Sequence, residues 1–132
     1  MRLSDESHLM ISDLAEKLGI TTRTIRLYEK LGLANAPKRT VGKVRYYEED
    51  DIIRFKMLLR LKALGLSLEE MKELADLFDR EEQTPIKIMP RLIELLETHL
   101  CAIREKIETL QKLESDIAAY RKRIITQYKL GK

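Results

Sequence analysis

Apolar residues recur along the chain at spacings that change from segment to segment, and each change marks a boundary. Ile11, Leu14, Ala15 and Leu18 follow one another at the three-and-four spacing of a single helix face. Ser12 is placed to cap this helix, and Gly19 ends it where a left-handed backbone costs least in glycine. Ile20 follows as a core plug. Thr21 then caps a second helix that turns Ile25 and Tyr28 inward and runs to about Lys30. Two helices crossing steeply need a small residue at the crossing, a tight turn and apolar anchors on both sides. Ala15, Gly19 and the set Leu14, Leu18, Ile20 and Ile25 supply them, which is the helix-turn-helix pattern.

The period then shortens. After the loop Leu33 to Pro37, β-branched and aromatic residues flank Gly42 over Lys38 to Tyr47, predicting a two-stranded ribbon that turns at Gly42. A third helix begins at Glu48 with acids in its first turn, which suit the positive end of the helix dipole. Its wide apolar face comprises Ile52, Phe55, Leu58, Leu59 and Leu61, and it stops at Gly65. Ser67-Leu68-Glu69-Glu70 reads as a capping box with Leu66 and Met71 as its hydrophobic staple, opening a fourth helix through Leu74, Leu77 and Phe78. Met57 and Met71 read as core filler.

Beyond Thr84 a heptad appears. Ile93, Leu100 and Ile107 share one position, and Met89, Leu96, Ile103, Leu110, Ile117 and Ile124 share its partner, the pattern of a coiled-coil seam. The first position becomes charged at Glu114 and Arg121, where apposition is expected to loosen. Pro90 belongs near a first turn, so the helix is expected to start between about Ile88 and Pro90. Running to Thr126 it would be roughly 55 Å long. That exceeds the small N-terminal domain, so much of the stripe has no partner within the chain and dimerisation follows. Ile93, Leu96, Leu100, Ile103, Ile107, Leu110 and Ile117 are the expected dimer contacts.

Composition excludes several classes. No apolar run approaches the roughly 18 residues of a membrane span, and Met1 to Ser7 is too polar for a secretory signal. With one cysteine, Cys101, no internal disulfide is expected, and the expected compartment is the cytoplasm. The overall charge of +3 hides an asymmetry: between Lys17 and Arg45, eight Lys and Arg side chains face the single acid Glu29, a net of +7. Such a block is the footprint of a phosphate-backbone binder. Arg23, Thr24 and Arg26 on the outer face of the second helix suit base edges and phosphates in a major groove. The ribbon cations Lys38, Arg39, Lys43 and Arg45, which lack neighbouring acids along the chain, read as a wing along the DNA backbone. Thr22, Tyr28 and Tyr47 complete the expected DNA-binding set.

Ile11-Ser12-Asp13-Leu14-Ala15, Arg23-Thr24-Ile25-Arg26-Leu27-Tyr28-Glu29, Gly32-Leu33, Pro37-Lys38-Arg39, Arg45-Tyr46-Tyr47, Asp51-Ile52 and Gly65-Leu66-Ser67-Leu68-Glu69-Glu70-Met71 together carry a resemblance. Over Ile11 to Leu74 the chain resembles the DNA-binding domain of the MerR (mercury-resistance regulator) family of bacterial transcription factors. It departs from the family's usual pattern at Leu27, where a tyrosine often precedes Tyr28, and at Val44, where an aromatic often precedes the wing arginine. The resemblance implies a mainly α fold: a winged helix-turn-helix domain followed by a long helix that forms an antiparallel coiled-coil dimer. It also implies a homodimer on a pseudo-palindromic promoter site, altering transcription by distorting the DNA and so acting on RNA polymerase indirectly.

The expected organisation is a DNA-binding domain over residues 9–80, a linker over 81–89 and a dimerisation helix over 90–127. The alternative is a coiled-coil scaffold that binds nucleic acid without sequence preference. An enzyme is not expected: there is no Gly-rich phosphate loop and no nucleophile–histidine set. No cofactor or metal is expected either, because His99 and Cys101, two residues apart on a helix, do not face each other. His8 carries no site signal. Any small-molecule effector would have to bind near the Leu74 to Met89 segment.

Overall fold

The computed structural model describes residues 8–130, so the Met1 to Ser7 segment read above lies outside the described residues. The elements are α1 (Ile11–Leu18), α2 (Thr22–Lys30), β1 (Lys38–Arg39), β2 (Arg45–Tyr46), α3 (Glu49–Ala63), α4 (Leu68–Arg80) and α5 (Pro85–Gln127). They make two compact bodies, one ending at Ile93 and one starting at Glu94, with α5 running through the boundary.

In the first body α1 and α2 form the expected pair. Gly19 ends α1 in the left-handed region at φ 72°, and its N–H and that of Ile20 satisfy the carbonyls of Glu16 and Ala15. The start of α1 differs from expectation: Met10, not Ser12, is the cap. The Asp13 carboxylate accepts the Met10 N–H at 3.4 Å, so a first-turn acid at the positive helix end does the work assigned to serine. Thr21 caps α2 as expected, its hydroxyl accepting the Thr24 N–H at 3.1 Å.

Leu14, Ile25, Leu33, Tyr47, Phe55, Leu66 and Met71 form the fully buried core. The Tyr28 ring stacks on Phe55 with centroids 6.1 Å apart and an 8° tilt, which locks α2 to α3. Arg54 adds a polar tie: its Nε donates to the Leu33 carbonyl at 2.8 Å, its guanidinium lies over the Phe78 ring, and it pairs with Asp79. Met71 is core as expected, whereas Met57 is 43% exposed. Met57 shares its face of α3 with the exposed Ile53 four residues earlier, away from the side taken by Phe55 and Leu58.

The ribbon is antiparallel, with Lys38 opposite Tyr46 and Arg39 opposite Arg45. Its turn is closed by the Lys43 N–H donating to Thr40 O at 2.8 Å. The left-handed residue is Lys43, at φ 65°, the position after the turn where glycine is usual. Leu9 extends the ribbon by exchanging two backbone hydrogen bonds with Tyr47, at 2.9 and 2.7 Å.

Both halves of the Ser67–Glu70 capping box are present, at 3.1 and 2.9 Å, and Leu66 and Met71 are buried beside it. After α4 the chain reverses through Glu82 and Gln83, both left-handed, and α5 then begins at Pro85 rather than between Ile88 and Pro90. The expected 81–89 linker therefore shortens to the turn at 81–84. Pro85 takes the first helical position, where its missing N–H costs nothing. Pro90 then falls inside the helix, and the bond it cannot make belongs to Ile86, on a turn exposed enough for water to substitute. Arg91 forms a two-pronged bond to Glu73 that ties the first turns of α5 to α4 and holds the Glu73 carboxyl below its ordinary range.

The second body is the helix beyond Ile93. It carries Leu100, Ile103, Ile107, Leu110, Leu113, Ile117 and Tyr120 on its surface, each about half exposed. Because Ser67 satisfies a terminal donor of α4, Ser67→Ala should cost about 1 kcal/mol. Thermal unfolding followed by circular dichroism at 222 nm checks this, and an unchanged midpoint would mean the cap is dispensable.

Candidate nucleic-acid interface

Helical geometry gives α2 two faces. Ile25 and Tyr28 point into the core, which leaves Arg23, Arg26, Leu27 and Lys30 on the outer face at positions i, i+3, i+4 and i+7. Leu27 and Lys30 were not in the expected DNA-binding set, yet the same spacing that assigns the inner face assigns them to the outer one. Thr22 and Thr24 are half-buried, and the Thr24 hydroxyl lies 3.0 Å from that of Thr21 within the helix cap.

Tyr28 and Tyr47 do not lie on the reading surface as expected. Tyr28 is 4% exposed and Tyr47 is 1% exposed, because their rings fill the core between the helix pair, the ribbon and α3. The Tyr47 hydroxyl donates to Glu29 Oε2 at 2.7 Å, which fastens the base of the wing to the recognition helix. Burial raises the Glu29 carboxyl above its ordinary range, while the Tyr47 hydrogen bond and the nearby Arg45 and Arg26 charges pull it down. Burial and the Glu29 carboxylate likewise push the Tyr47 hydroxyl well above the usual phenol range.

The wing cations differ among themselves. Lys38 does have neighbouring acids, contrary to expectation: its Nζ lies 3.2 Å from Glu48 and 3.8 Å from Asp51, at the start of α3. Burial alone would lower the Lys38 ammonium, but these carboxylates outweigh it and its pKa is raised. Pairing across the ribbon turns Lys38 back onto α3, so it contributes less field to solution than the sequence suggested. Arg39, Lys43 and Arg45 are exposed and, like Arg23 and Arg26, form no ion pair with any described residue. Arg39 Nη1 donates to the Lys43 carbonyl at 3.4 Å, which aligns one arm of the ribbon with its turn. Val41 at the turn is fully exposed. His8, given no role from sequence, packs against Tyr46 with ring centroids 4.2 Å apart and the planes tilted by 37°.

The Leu74 to Met89 segment borders a cavity of about 370 Å³ whose lining includes the apolar Leu58, Leu61, Leu74, Phe78, Ile88 and Met89 and the charged Lys38, Asp50, Asp51 and Arg54. Cys101 is exposed, and no cluster of three metal-ligating side chains occurs among the described residues. Among those residues, too, no helix is long and apolar enough to cross a membrane.

Residues 9–78 match the MerR HTH family of regulatory proteins, and residues 52–120 match the MerR DNA-binding family. The chain is 36% identical to the HTH-type transcriptional regulator YfmP of Bacillus subtilis, over 80% of this chain and 85% of that one. It is 35% identical to a mercuric resistance operon regulatory protein of Bacillus cereus, over 79% and 76% of the two chains. Its fold is similar to HiNmlR, a MerR family regulator lacking the sensor domain and crystallised on promoter DNA (TM-score 0.60, 29% identity, 88% of this chain and 92% of that one). It is also similar to PbrR691 from Ralstonia metallidurans, solved with lead(II) (TM-score 0.69, 29% identity, 86% of each chain).

Tyr47→Phe tests the tie between wing and recognition helix. Removing a hydrogen bond to a carboxylate should cost about 1.5–3 kcal/mol at pH 7. The raised Glu29 pKa means that this group's contribution to stability is full when it is protonated and falls as pH rises through the folded-state value. The Tyr47→Phe deficit should therefore shrink toward pH 4, as the carboxylate that needs the donor disappears. Urea melts at both pH values measure it, and an equal deficit at both would sink this account.

Proposed function

The chain belongs to the MerR family of DNA-binding transcription regulators, and from that footing we propose that it works as a homodimer on a pseudo-palindromic promoter site, altering transcription by distorting the DNA. The observation that carries this reading is the exposed face of α2, where Arg23 and Arg26 project with no ion-pair partner among the described residues, beside a wing bearing Arg39, Lys43 and Arg45. Inserted in a major groove, Arg23 and Arg26 offer forked donors to guanine edges or to phosphates, and Leu27 offers apolar contact to a thymine methyl. The wing cations follow the phosphate backbone alongside and fix the register of the helix in the groove. Thr22, Thr24 and Lys38 are supporting contacts, whereas Tyr28 and Tyr47 act from within by holding the reader elements in place.

The half-exposed stripe of α5 supports the dimer, since an isolated helix gains nothing from presenting it to water. Residues 9–80 serve as the reader domain and the long helix as the dimerisation element. RNA polymerase would respond to the altered DNA geometry without a protein site of its own on this chain, with the cytoplasm as the place of action. The cavity beside Leu74 and Met89 is where an effector could act on the reader domain.

Arg23→Ala should weaken operator binding by about 1–3 kcal/mol and relax preference at one base position. Fluorescence anisotropy against a set of single-base operator variants measures it, and an unchanged profile would make Arg23 a bystander. A specific regulator should prefer its operator, selected from random DNA, by roughly 10³ or more over bulk duplex. Preference near unity would favour the scaffold alternative. Chemical footprinting should reveal hyperreactive steps at the centre of the site, and a uniformly protected duplex would count against distortion.

Lys43→Gly separates folding from binding. It should relieve the left-handed strain and stabilise the domain by about 1 kcal/mol, while lowering the salt dependence of DNA binding by about one unit. A stabilised variant with an unaltered salt slope would remove Lys43 from the phosphate contacts.

A further inference from the structure

Building on the effector reading above, we propose that the cavity of the first body binds a small organic acid, an apolar ring system or short chain that ends in a carboxylate. The cavity lies between α3, α4 and the start of α5, and every residue lining it belongs to the body that ends at Ile93. Its volume of about 370 Å³ falls within the roughly 300–1,000 Å³ of small-molecule pockets. Along α3 the lining runs from Asp50 to Leu61, roughly 16 Å of helix.

The lining is polar at one end and apolar at the other. Arg54 lies over Phe78 and pairs with Asp79, so the start of α3 sits beside the end of α4. Lys38 joins this end through Asp51, and Gln83 through its N–H, which donates to the Phe78 carbonyl at 2.8 Å. Asn35 stands just beyond Leu33, whose carbonyl Arg54 holds. With Asp50, these are the polar residues of the lining. From Met57 onward α3 contributes only apolar side chains, and α4 and α5 enclose them with Leu74, Ala75, Ile88 and Met89. A molecule that fits carries its polar group at one end.

Uncommitted hydrogen-bonding capacity at the polar end decides the chemistry of that group. Asp51 accepts the Glu48 N–H at 2.8 Å and pairs with Lys38, which Glu48 also holds. Asp50 is exposed, so water satisfies it. Arg54 differs: its side chain is only 17% exposed, yet just two of its N–H groups are used. One goes to Leu33 at 2.8 Å and one to Asp79 at 3.5 Å, the outer limit of such a bond, and the rest have no acceptor among the described residues. A guanidinium mostly out of water and short of acceptors is completed by a carboxylate, whose two oxygens match its forked donors. A cationic group would be repelled there. Arg54 also ties the turn after α2 to the end of α4, so an acid held by it adjoins the support of the recognition helix.

Methionine-methyl NMR on the full chain tests the site without a variant, because Met57 and Met89 line the cavity and Met10 does not. Three probes share a naphthalene ring and differ in the polar group: 1-naphthoate, 1-naphthamide and 1-naphthylmethylammonium. The naphthoate should shift the Met57 and Met89 signals saturably and leave that of Met10 in place. It should bind about tenfold more tightly than the amide, as expected for hydrogen bonds to a charged acceptor. Equal affinity for all three, or a preference for the ammonium, would overturn the acid assignment. Stationary Met57 and Met89 signals with every probe would overturn the site itself. If those two signals move only on dilution of the protein, a second copy fills the cavity and the proposal fails. Arg54→Gln should abolish the preference for the acid while the amide binds as before, and a preserved preference would place the carboxylate elsewhere. The comparison of probes on the unaltered chain decides the matter even where that variant does not fold. Operator affinity with and without saturating naphthoate separates the site from its role: binding that leaves operator affinity unchanged would uphold the site and remove the effector reading.

Discussion

The bond between the Tyr47 hydroxyl and Glu29 joins the end of the ribbon to the recognition helix, and the reading surface depends on it. Neither element is stable in isolation: α2 is nine residues long and each strand has two residues. Their relative placement comes from what they bury together. Tyr28 stacked on Phe55 fixes the rotation of α2, and Tyr47, buried beneath the ribbon, fixes the distance to the wing. Arg23 and Arg26 are presented outward because Ile25 and Tyr28 are anchored inward. Glu29, the one acid in the basic block, is positioned to be useful: it accepts the tyrosine's hydrogen bond and sits among Arg26 and Arg45 without cancelling them as tight ion pairs.

The same economy of position governs the wing. A lysine in a left-handed turn is strained, and glycine would relieve it, yet glycine would also remove the charge from that point of the ribbon. Lys38, by contrast, is held by Glu48 and Asp51 and so contributes to seating the ribbon on α3. The block of +7 thus divides into cations that face outward and one that secures the scaffold. The long helix obeys the opposite logic: its apolar stripe is exposed in the single chain, the kind of patch that marks an interaction surface.

Much of this was legible along the chain. The Gly19 stop, the Thr21 cap, the Ser67–Glu70 capping box, the inward pair Ile25 and Tyr28 and the ribbon around Gly42 all involve residues within about four positions of one another. Steric preferences and local hydrogen bonds decide such features, and a sequence displays them directly. α5 starts ahead of the position that Pro90 indicates, because Pro85, five residues earlier, meets the same first-turn requirement. The exposed apolar stripe of α5 includes Leu113 and Tyr120, which a strict heptad count passes over in favour of Glu114 and Arg121.

By itself, then, the sequence determined the elements, the helix-turn-helix and wing pattern, the family and the apolar stripe of the long helix. Each follows from spacing, caps or ordered motifs, which act through near neighbours. Only the tertiary structure decided that Tyr47 belongs to the core, that Lys38 is paired and that Arg54 ties the Leu33 turn to the end of α4. The physical reason is separation along the chain. Tyr47 and Glu29 are 18 residues apart, and Arg54 and Asp79 are 25 apart. Burial and charge pairing between such residues are set by how helices pack, a property that no local pattern contains.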